Sequence, residues 1–236
     1  MSSVAIINAR LLDPASDYDG PGALLFEDGV ITVVEHGAVP ILADEVIDAG
    51  GLCVAPGLID IRVRTGEPGA EPKETLKSAS LAAAAGGVTT IVVQPDTDPA
   101  VDDPAMVDFI QRRGAALGLV NVRTAGAATK GRGGSRMAEI GLMHEAGALY
   151  FTDGDHVIAD SRVLSRVMSY ATAFNALIAC RPADPWLSEG AVATSGELAT
   201  RLGLPSAPAI AERIQLERDL ALVEQTGVRF LVDLIS

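Results

Sequence analysis

Charged side chains follow several apolar runs of this chain at the points where the runs end. Arg62 and Arg64 close the apolar stretch 58–63, and Asp153 and Arg181 follow two later apolar stretches. A guanidinium group donates paired hydrogen bonds to carboxylates and phosphates, but it has no lone pair for a metal ion. These residue types therefore favour anion binding or ion pairing with nearby aspartates over metal coordination.

The elements that must position these side chains alternate between strand and helix from residue 57 onward. Apolar runs predict strands, whereas helical spacing, Asp103-Pro104 and terminal glycines predict helices between them. Continuous β-branched runs are typical of strands buried on both faces of a parallel sheet. The alternation predicts a parallel α/β architecture, which by itself fits a closed barrel or an open sheet. The predicted strands are 58–63, 88–93, 119–123, 148–152, 176–180 and 228–235, and the helices include 73–85, 135–146, 160–172 and 208–225.

The first 55 residues have a different pattern, in which short apolar runs are separated by turn signals. The runs 23–26 and 30–34 flank Glu27-Asp28-Gly29, which predicts a hairpin, and 19–22 is a second predicted turn. We therefore predict two domains, a β unit at residues 1–55 and an α/β unit at residues 56–236.

Composition narrows the class of protein. The formal net charge of −13 disfavours nucleic acid and anionic membranes as partners, because both would repel an acidic surface. No apolar run approaches the roughly 18 residues of a membrane span, and no basic-then-apolar leader is present. The two cysteines, Cys53 and Cys180, do not suggest a disulfide framework. We expect a reduced, cytoplasmic protein.

The stretch 54–69, VAPGLIDIRVRTGEPG, carries a family resemblance. It resembles PGLIDxHVHxREPG, the signature of the dihydroorotase branch of the amidohydrolase superfamily, and the resemblance covers almost the whole chain. It implies a TIM-type (β/α) barrel preceded by a small N-terminal β-sandwich. A closed barrel needs eight strands and six are predicted, so we expect the barrel to be incomplete after its sixth strand.

The resemblance also implies what has changed at the metal site. Family members hold two zinc ions with histidines and a bridging acid, and the ions activate water against a cyclic amide. The histidine positions fall on Arg62 and Arg64 after the first strand, on Arg181 after the fifth, and on Leu231 in the sixth. Asp153 matches the bridging acid. Three arginines and a leucine cannot replace imidazole ligands, so we expect no zinc and no other cofactor.

Two further positions correspond to substrate-binding residues of the family. Gly66 stands where the family has an arginine that holds the substrate carboxylate. Asp96, in VQPDTDP at 93–99, stands where the family's MPNTxP has an asparagine. The negative charge at Asp96 would disfavour an anionic substrate.

Three functions are compatible with this pattern. The first is a non-catalytic protein of pyrimidine biosynthesis that partners aspartate carbamoyltransferase, as the resemblance implies for members without metal ligands; a homo-oligomer is compatible with it. The alternative is an active cyclic amidohydrolase, related to dihydroorotases, allantoinases or dihydropyrimidinases, with a site rebuilt from Asp153, Asp96 and Asp155. The third is an anion pocket lined by Arg62, Arg64 and Arg181, unless aspartates such as Asp153 and Asp96 neutralise these arginines.

Other reactive residue types lack a supporting pattern. None of the histidines, His36, His144 and His156, has the spacing of a metal-binding pair. The basic, glycine-rich stretch 129–135 lacks the order of a phosphate-binding P-loop, and a flexible loop is favoured. Cys180 precedes Arg181, which could lower its pKa, but without an adjacent histidine we expect an inert thiol.

Overall fold

The structure is a computed structural model that describes residues 2–37 and 41–235. Contacts between residues divide the chain into two units, Met1–Gly57 and Leu58–Ser236. The elements of the first unit are all strands, whereas the second unit combines parallel strands with helices.

The N-terminal unit is a single five-stranded sheet. Its hairpin between the second and third strands turns at Asp28 and Gly29, whose φ values of 50° and 82° suit a two-residue hairpin loop. The sheet order is β3-β2-β1-β4, with β5 also paired to β1, and both β4 and β5 run parallel to β1. The strands are β1 (Ser3–Asp13), β2 (Tyr18–Glu27), β3 (Val30–His36), β4 (Glu45–Asp48) and β5 (Cys53–Val54).

One prediction for this unit is wrong. Residues 19–22 form no turn, because they continue β2 and pair antiparallel with residues 9–12 of β1. Every strand within residues 2–37 and 41–57 pairs with β1 or β2 in one sheet, so the described residues form a single layer, and the β-sandwich to which that layer would belong stays a prediction. The sheet is mixed, because the long β1 accepts parallel neighbours on its free edge.

The C-terminal unit alternates strands and helices along the chain. Its first two strands coincide with the predicted ranges 58–63 and 88–93. The strands are β6 (Leu58–Val63), β7 (Val88–Val93), β8 (Asn121–Thr124), β9 (Leu177–Cys180), β10 (Ala193–Thr194), β11 (Ser206–Ala207) and β12 (Arg229–Val232). The helices are α1 (Leu76–Ala85), α2 (Pro104–Leu117), α3 (Ile140–Glu145), α4 (Ser161–Thr172), α5 (Glu197–Leu202) and α6 (Ile210–Thr226), with a 3-10 turn at Lys130–Arg132. None of the helices in the described ranges is long and apolar enough to cross a membrane.

Six parallel segments follow one another across this unit. β6, β7 and β8 form one parallel sheet, and β9 and β12 form another. Phe151 joins them, because it forms parallel bridges to Gly126 and to Ile178. The predicted strand 148–152 pairs with its neighbour beyond Phe151 as well, because the Leu149 N–H donates to the Thr124 carbonyl at 3.0 Å and the Thr152 N–H donates to the Gly126 carbonyl at 2.9 Å. β6 and β12 are the two outer strands of the series.

Capping residues explain where the helices begin. Asp103 accepts a hydrogen bond from the Met106 N–H at 3.0 Å, and α2 starts at the next residue, a proline. α1 begins at Leu76 rather than at residue 73, because Thr75 caps it through the Ser78 N–H. α3 is shorter than predicted. Residues 136 and 138 bond back to the loop before them instead of starting a helix.

Apolar side chains fill both faces of the parallel series. The larger cluster packs the strands against the helices, and a smaller one contains Val92, Ala125, Tyr150 and Ala179. β6 is the exception to the prediction of a buried strand, since Leu58 is 62% exposed. As an outer strand it has only β7 as a neighbour, which leaves its other edge uncovered.

Candidate functional site

The candidate site lies where the parallel strands end. Because parallel strands present their carboxyl ends at the same edge, the residues just after them meet there. Arg62 and Arg64 come from the end of β6, and Asp96 follows β7. Asp153 and Asp155 follow the Phe151 bridge, Arg181 follows β9, and Asp233 follows β12.

Arg62 connects the two outer strands. Its Nε donates to Asp233 Oδ2 at 2.9 Å, and its Nη2 donates to Asp155 Oδ1 at 2.8 Å. The Arg62 side chain is 21% exposed. Burial acts to lower the pKa of Arg62, but the two carboxylates outweigh it and raise that pKa. The guanidinium thus stays charged and links β6 to β12.

Arg64 extends the same set of ion pairs. Its Nε lies 2.9 Å from Asp96 Oδ2, and its Nη2 donates to Asp155 Oδ2. Asp155 therefore binds one arginine through each carboxylate oxygen. Partial burial acts to raise the pKa of Asp155, but the hydrogen bonds and charges of Arg62 and Arg64 lower it below the usual range.

We call Arg62, Arg64, Asp96, Asp155 and Asp233 the arginine–aspartate network. Its two positive and three negative charges leave one net negative charge, so the arginines do not offer a free site for an anion. The expectation that aspartates neutralise them is right for Asp96 and wrong for Asp153. Sequence analysis missed Asp233 and considered Asp155 only as a ligand. The available signal was that each follows a strand end.

Asp153 is held by neutral groups instead. Its side chain accepts hydrogen bonds from the Thr129 N–H, at 2.9 Å to Oδ1, and from the Thr129 hydroxyl at Oδ2. Asp153 is only 3% exposed, and burial raises the pKa of its carboxyl although the Thr129 hydrogen bonds oppose that shift. The Arg132 guanidinium donates to its backbone carbonyl rather than to its carboxylate. Asp153 is therefore a carboxylate at this edge that is buried away from the arginine–aspartate network.

The remaining predicted positions do not join the network. The Arg181 guanidinium is partly buried, lines a small cavity beside Asp153, and forms no ion pair in the described ranges. Leu231 packs against the smaller apolar cluster. Gly66 has a φ of +67°, and a Cβ there would lie 2.7 Å from the Ala70 carbonyl oxygen. Only glycine fits this backbone, so Gly66 contributes no side chain.

The donor chemistry of this edge does not fit zinc. Within the part of the chain that the structure describes, no group of three histidine, cysteine or acidic side chains could hold a metal ion. The network carboxylates are already engaged by arginines, through hydrogen bonds at Asp155 and Asp233 and an ion pair at Asp96. His156 Nδ1 lies 3.1 Å from the Arg132 carbonyl oxygen, and His36 stacks on Tyr18 in the N-terminal sheet. His144 lies in α3, tilted against Phe174.

The two other candidate features are also accounted for. In the stretch 129–135, the Lys130 ammonium lies 3.4 Å from Glu139 and 3.9 Å from Asp102, so its charge is compensated. Burial raises the pKa of the Cys180 thiol well above its usual value, against the expected influence of the neighbouring Arg181. A thiol that stays protonated is a poor nucleophile.

Comparisons with known proteins identify the family. The family model described as dihydro-orotase-like matches residues 51–236. A dihydroorotase-like protein from Pseudomonas aeruginosa is 39% identical over 227 residues, which is 96% of this chain and 54% of that protein. A dihydroorotase from Sulfurihydrogenibium is 39% identical over 225 residues, covering 95% of this chain and 53% of that protein.

Solved structures share the fold. An L-hydantoinase from Arthrobacter aurescens superposes with a TM-score of 0.78 at 23% identity, covering 98% of this chain and 52% of that one. Hydantoinases are amidohydrolase TIM barrels, so the parallel series corresponds to part of such a barrel. The chain spans about half the length of the curated relatives it matches. From the sequence match and the shared fold together, this chain belongs to the dihydroorotase-like family.

Proposed function

We propose that this protein is a non-catalytic dihydroorotase-like component of pyrimidine biosynthesis and acts as a structural partner of aspartate carbamoyltransferase. One observation carries the proposal. At the strand ends where the resemblance places metal-binding histidines, the chain has Arg62 and Arg64, and both are ion-paired with aspartates. A permanent guanidinium charge at these positions opposes a zinc ion and offers it no ligand.

The loss of hydrolysis follows from the same geometry. Hydrolysing a cyclic amide requires an activated water and a polarised carbonyl, and metal ions supply both when they are bound in family members. Of the aspartates that a rebuilt site would need, Asp96 is already ion-paired with Arg64, and Asp155 accepts hydrogen bonds from Arg62 and Arg64. The Asp153 carboxylate is held by Thr129 rather than by an arginine, and a single carboxylate provides neither a dinuclear site nor a carbonyl-polarising cation.

A partner role requires the fold but not the site. The match to relatives extends over 95% of the chain or more, so the scaffold is retained although the ligand positions differ. The resemblance implies that members without metal ligands associate with aspartate carbamoyltransferase and support its assembly. A P. aeruginosa relative bears the name dihydroorotase-like protein.

The test is light scattering on the full-length protein, alone and mixed with aspartate carbamoyltransferase from the same source. We expect a stable mixed complex at micromolar concentration. Two separate species under these conditions would contradict the partner role. The measurement on the protein alone also determines whether it forms a homo-oligomer.

A second experiment addresses catalysis directly. We expect the purified protein to contain less than stoichiometric zinc and to leave dihydroorotate and hydantoin-type cyclic amides unhydrolysed. Hydrolysis that is abolished by Asp153→Ala would instead support the alternative, an active cyclic amidohydrolase with a rebuilt site. The Glu224→Gln variant, which removes an exposed carboxylate of α6, controls for the change in charge.

A further inference from the structure

The segment between β9 and α6 exposes an unusual number of large apolar side chains. Exposure ranges from 40% at Leu204 to 72% at Trp186, which is the chain's single tryptophan. Contiguous exposed apolar surface marks interaction sites more often than scattered single residues do. We define the 186–204 surface by Trp186, Leu187, Val192, Leu198, Leu202 and Leu204.

Backbone hydrogen bonds connect parts of this segment to one another. The Val192 N–H donates to the Pro205 carbonyl at 2.9 Å, and the Leu204 N–H donates to the Ala199 carbonyl at 3.0 Å. β10 and β11 pair in parallel beside these contacts. Leu198 and Leu202 lie one turn apart on α5, so they share a face of the helix. Backbone hydrogen bonds therefore join the earlier part of the segment to its later part.

The segment does not use its large apolar side chains for a core of its own. Of the six residues of α5, only Ala199 is buried. The leucines on either side of Ala199 remain exposed to solvent, which is an unfavourable arrangement for side chains of this size. Covering them with a partner would recover the free energy of removing that apolar area from water.

Charge determines which partner fits. Exposed Glu189 and Glu197 lie among the apolar residues, and Arg201 is the one positive side chain between residues 186 and 204. A second copy of the same surface would meet it with like charges, and the whole chain carries a net charge of −13. The complementary surface has an apolar centre and a basic rim.

We propose that the 186–204 surface is where aspartate carbamoyltransferase docks, through an apolar patch rimmed by lysine or arginine. This inference rests on the proposed function, because it names the surface through which that partnership forms. Trp186 supplies the central contact, since tryptophan is enriched among the residues that dominate the affinity of protein interfaces.

The experiment compares the affinity of variants of the full-length protein for the aspartate carbamoyltransferase of the same source. Trp186→Ser is expected to weaken the complex at least about tenfold, and Leu198→Ser with Leu202→Ser by a similar factor. Leu52→Ser is the matched control, because Leu52 in the N-terminal unit is 73% exposed and lies outside the surface. It should bind within about twofold of wild type. Higher ionic strength should weaken the wild-type complex, as a basic rim requires.

The outcomes show whether the docking surface fails alone or together with the proposed function. A wild-type complex that Trp186→Ser and the double leucine variant leave intact would overturn the docking surface and keep the proposed function. The absence of any wild-type complex would overturn both. A further measurement asks whether Trp186 is accessible in the free protein. Its fluorescence, identified as the signal that Trp186→Phe removes, should be quenched by acrylamide. Protection of Trp186 before the partner is added would show that the same protein or a second copy covers the surface, and would overturn this docking role.

Discussion

The arginine–aspartate network and Asp153 lie at the same edge of the parallel strands, but their charges are held by different means. In the network, oppositely charged side chains form ion pairs, and Asp155 accepts hydrogen bonds from two arginines. Asp153 is deeper, and Thr129 holds it with a backbone N–H and a hydroxyl. The pKa of Asp155 is accordingly lowered and that of Asp153 raised. The pKa values of these neighbouring carboxylates thus shift in opposite directions, because Asp155 accepts hydrogen bonds from two cations whereas the Asp153 carboxylate accepts them from neutral donors.

The largest expected effect comes from removing the cation that joins the outer strands. Arg62→Met leaves Asp155 and Asp233 without their shared partner in a partly buried setting. We expect the free energy of unfolding in urea to fall by about 3 kcal/mol. The control is Arg213→Met, which breaks an exposed pair with Glu217 on α6 and should change stability far less, because solvent screens that pair. Equal losses in the two variants would show that the link between β6 and β12 adds no stability.

Asp153→Ala tests the carboxylate that Thr129 holds without an ion pair. The substitution leaves the buried Thr129 N–H and hydroxyl without acceptors, so we expect a loss of about 2 kcal/mol in urea unfolding. Asp153→Asn retains one acceptor oxygen and should lose less. If Asn were as destabilising as Ala, the carboxylate charge rather than its hydrogen bonds would be what stabilises this position.

Arg64→Met sharpens the comparison within the network. Arg64 shares Asp155 with Arg62, but its side chain is 49% exposed. Solvent screens its pairs with Asp96 and Asp155 more strongly, and we expect a loss of about 1 kcal/mol. A thermal melt at low and high salt should show that this loss shrinks with salt. A loss as large as that of Arg62→Met would contradict the ranking by burial.

The smallest effect is a pair of opposite pH dependences. The native pKa of Asp155 is below its usual value, so as pH falls through about 4, the usual aspartate pKa, the unfolded chain takes up the proton first and stability falls. The native pKa of Asp153 is above its usual value, so the folded chain takes up the proton first while pH is still above about 4, and stability rises as pH falls in that range. Urea unfolding at several pH values should show that Asp155→Asn and Asp153→Asn each remove one of these slopes. Slopes of the same sign would contradict the assignment.

Local sequence signals predicted the elements that carry the site. β6 and β7 match their predicted ranges because apolar, β-branched runs between glycine turns determine strands locally. α3 was predicted too long. Residues 128–138 form backbone hydrogen bonds between two short segments instead of continuing a helix, and local spacing does not reveal that pairing.

The sequence by itself determined the family, the strand ends and the residue types at them. Arginine at 62 and 64 rules out imidazole ligands whatever the fold does, because residue type alone decides which lone pairs exist. The tertiary structure alone decided which acids meet these arginines. Arg62 is 171 residues from Asp233 and 93 from Asp155, and no local pattern links them. The pairing follows from the order of parallel strands, which brings their carboxyl ends to one edge, and from burial, which separates Asp153 from the charged network.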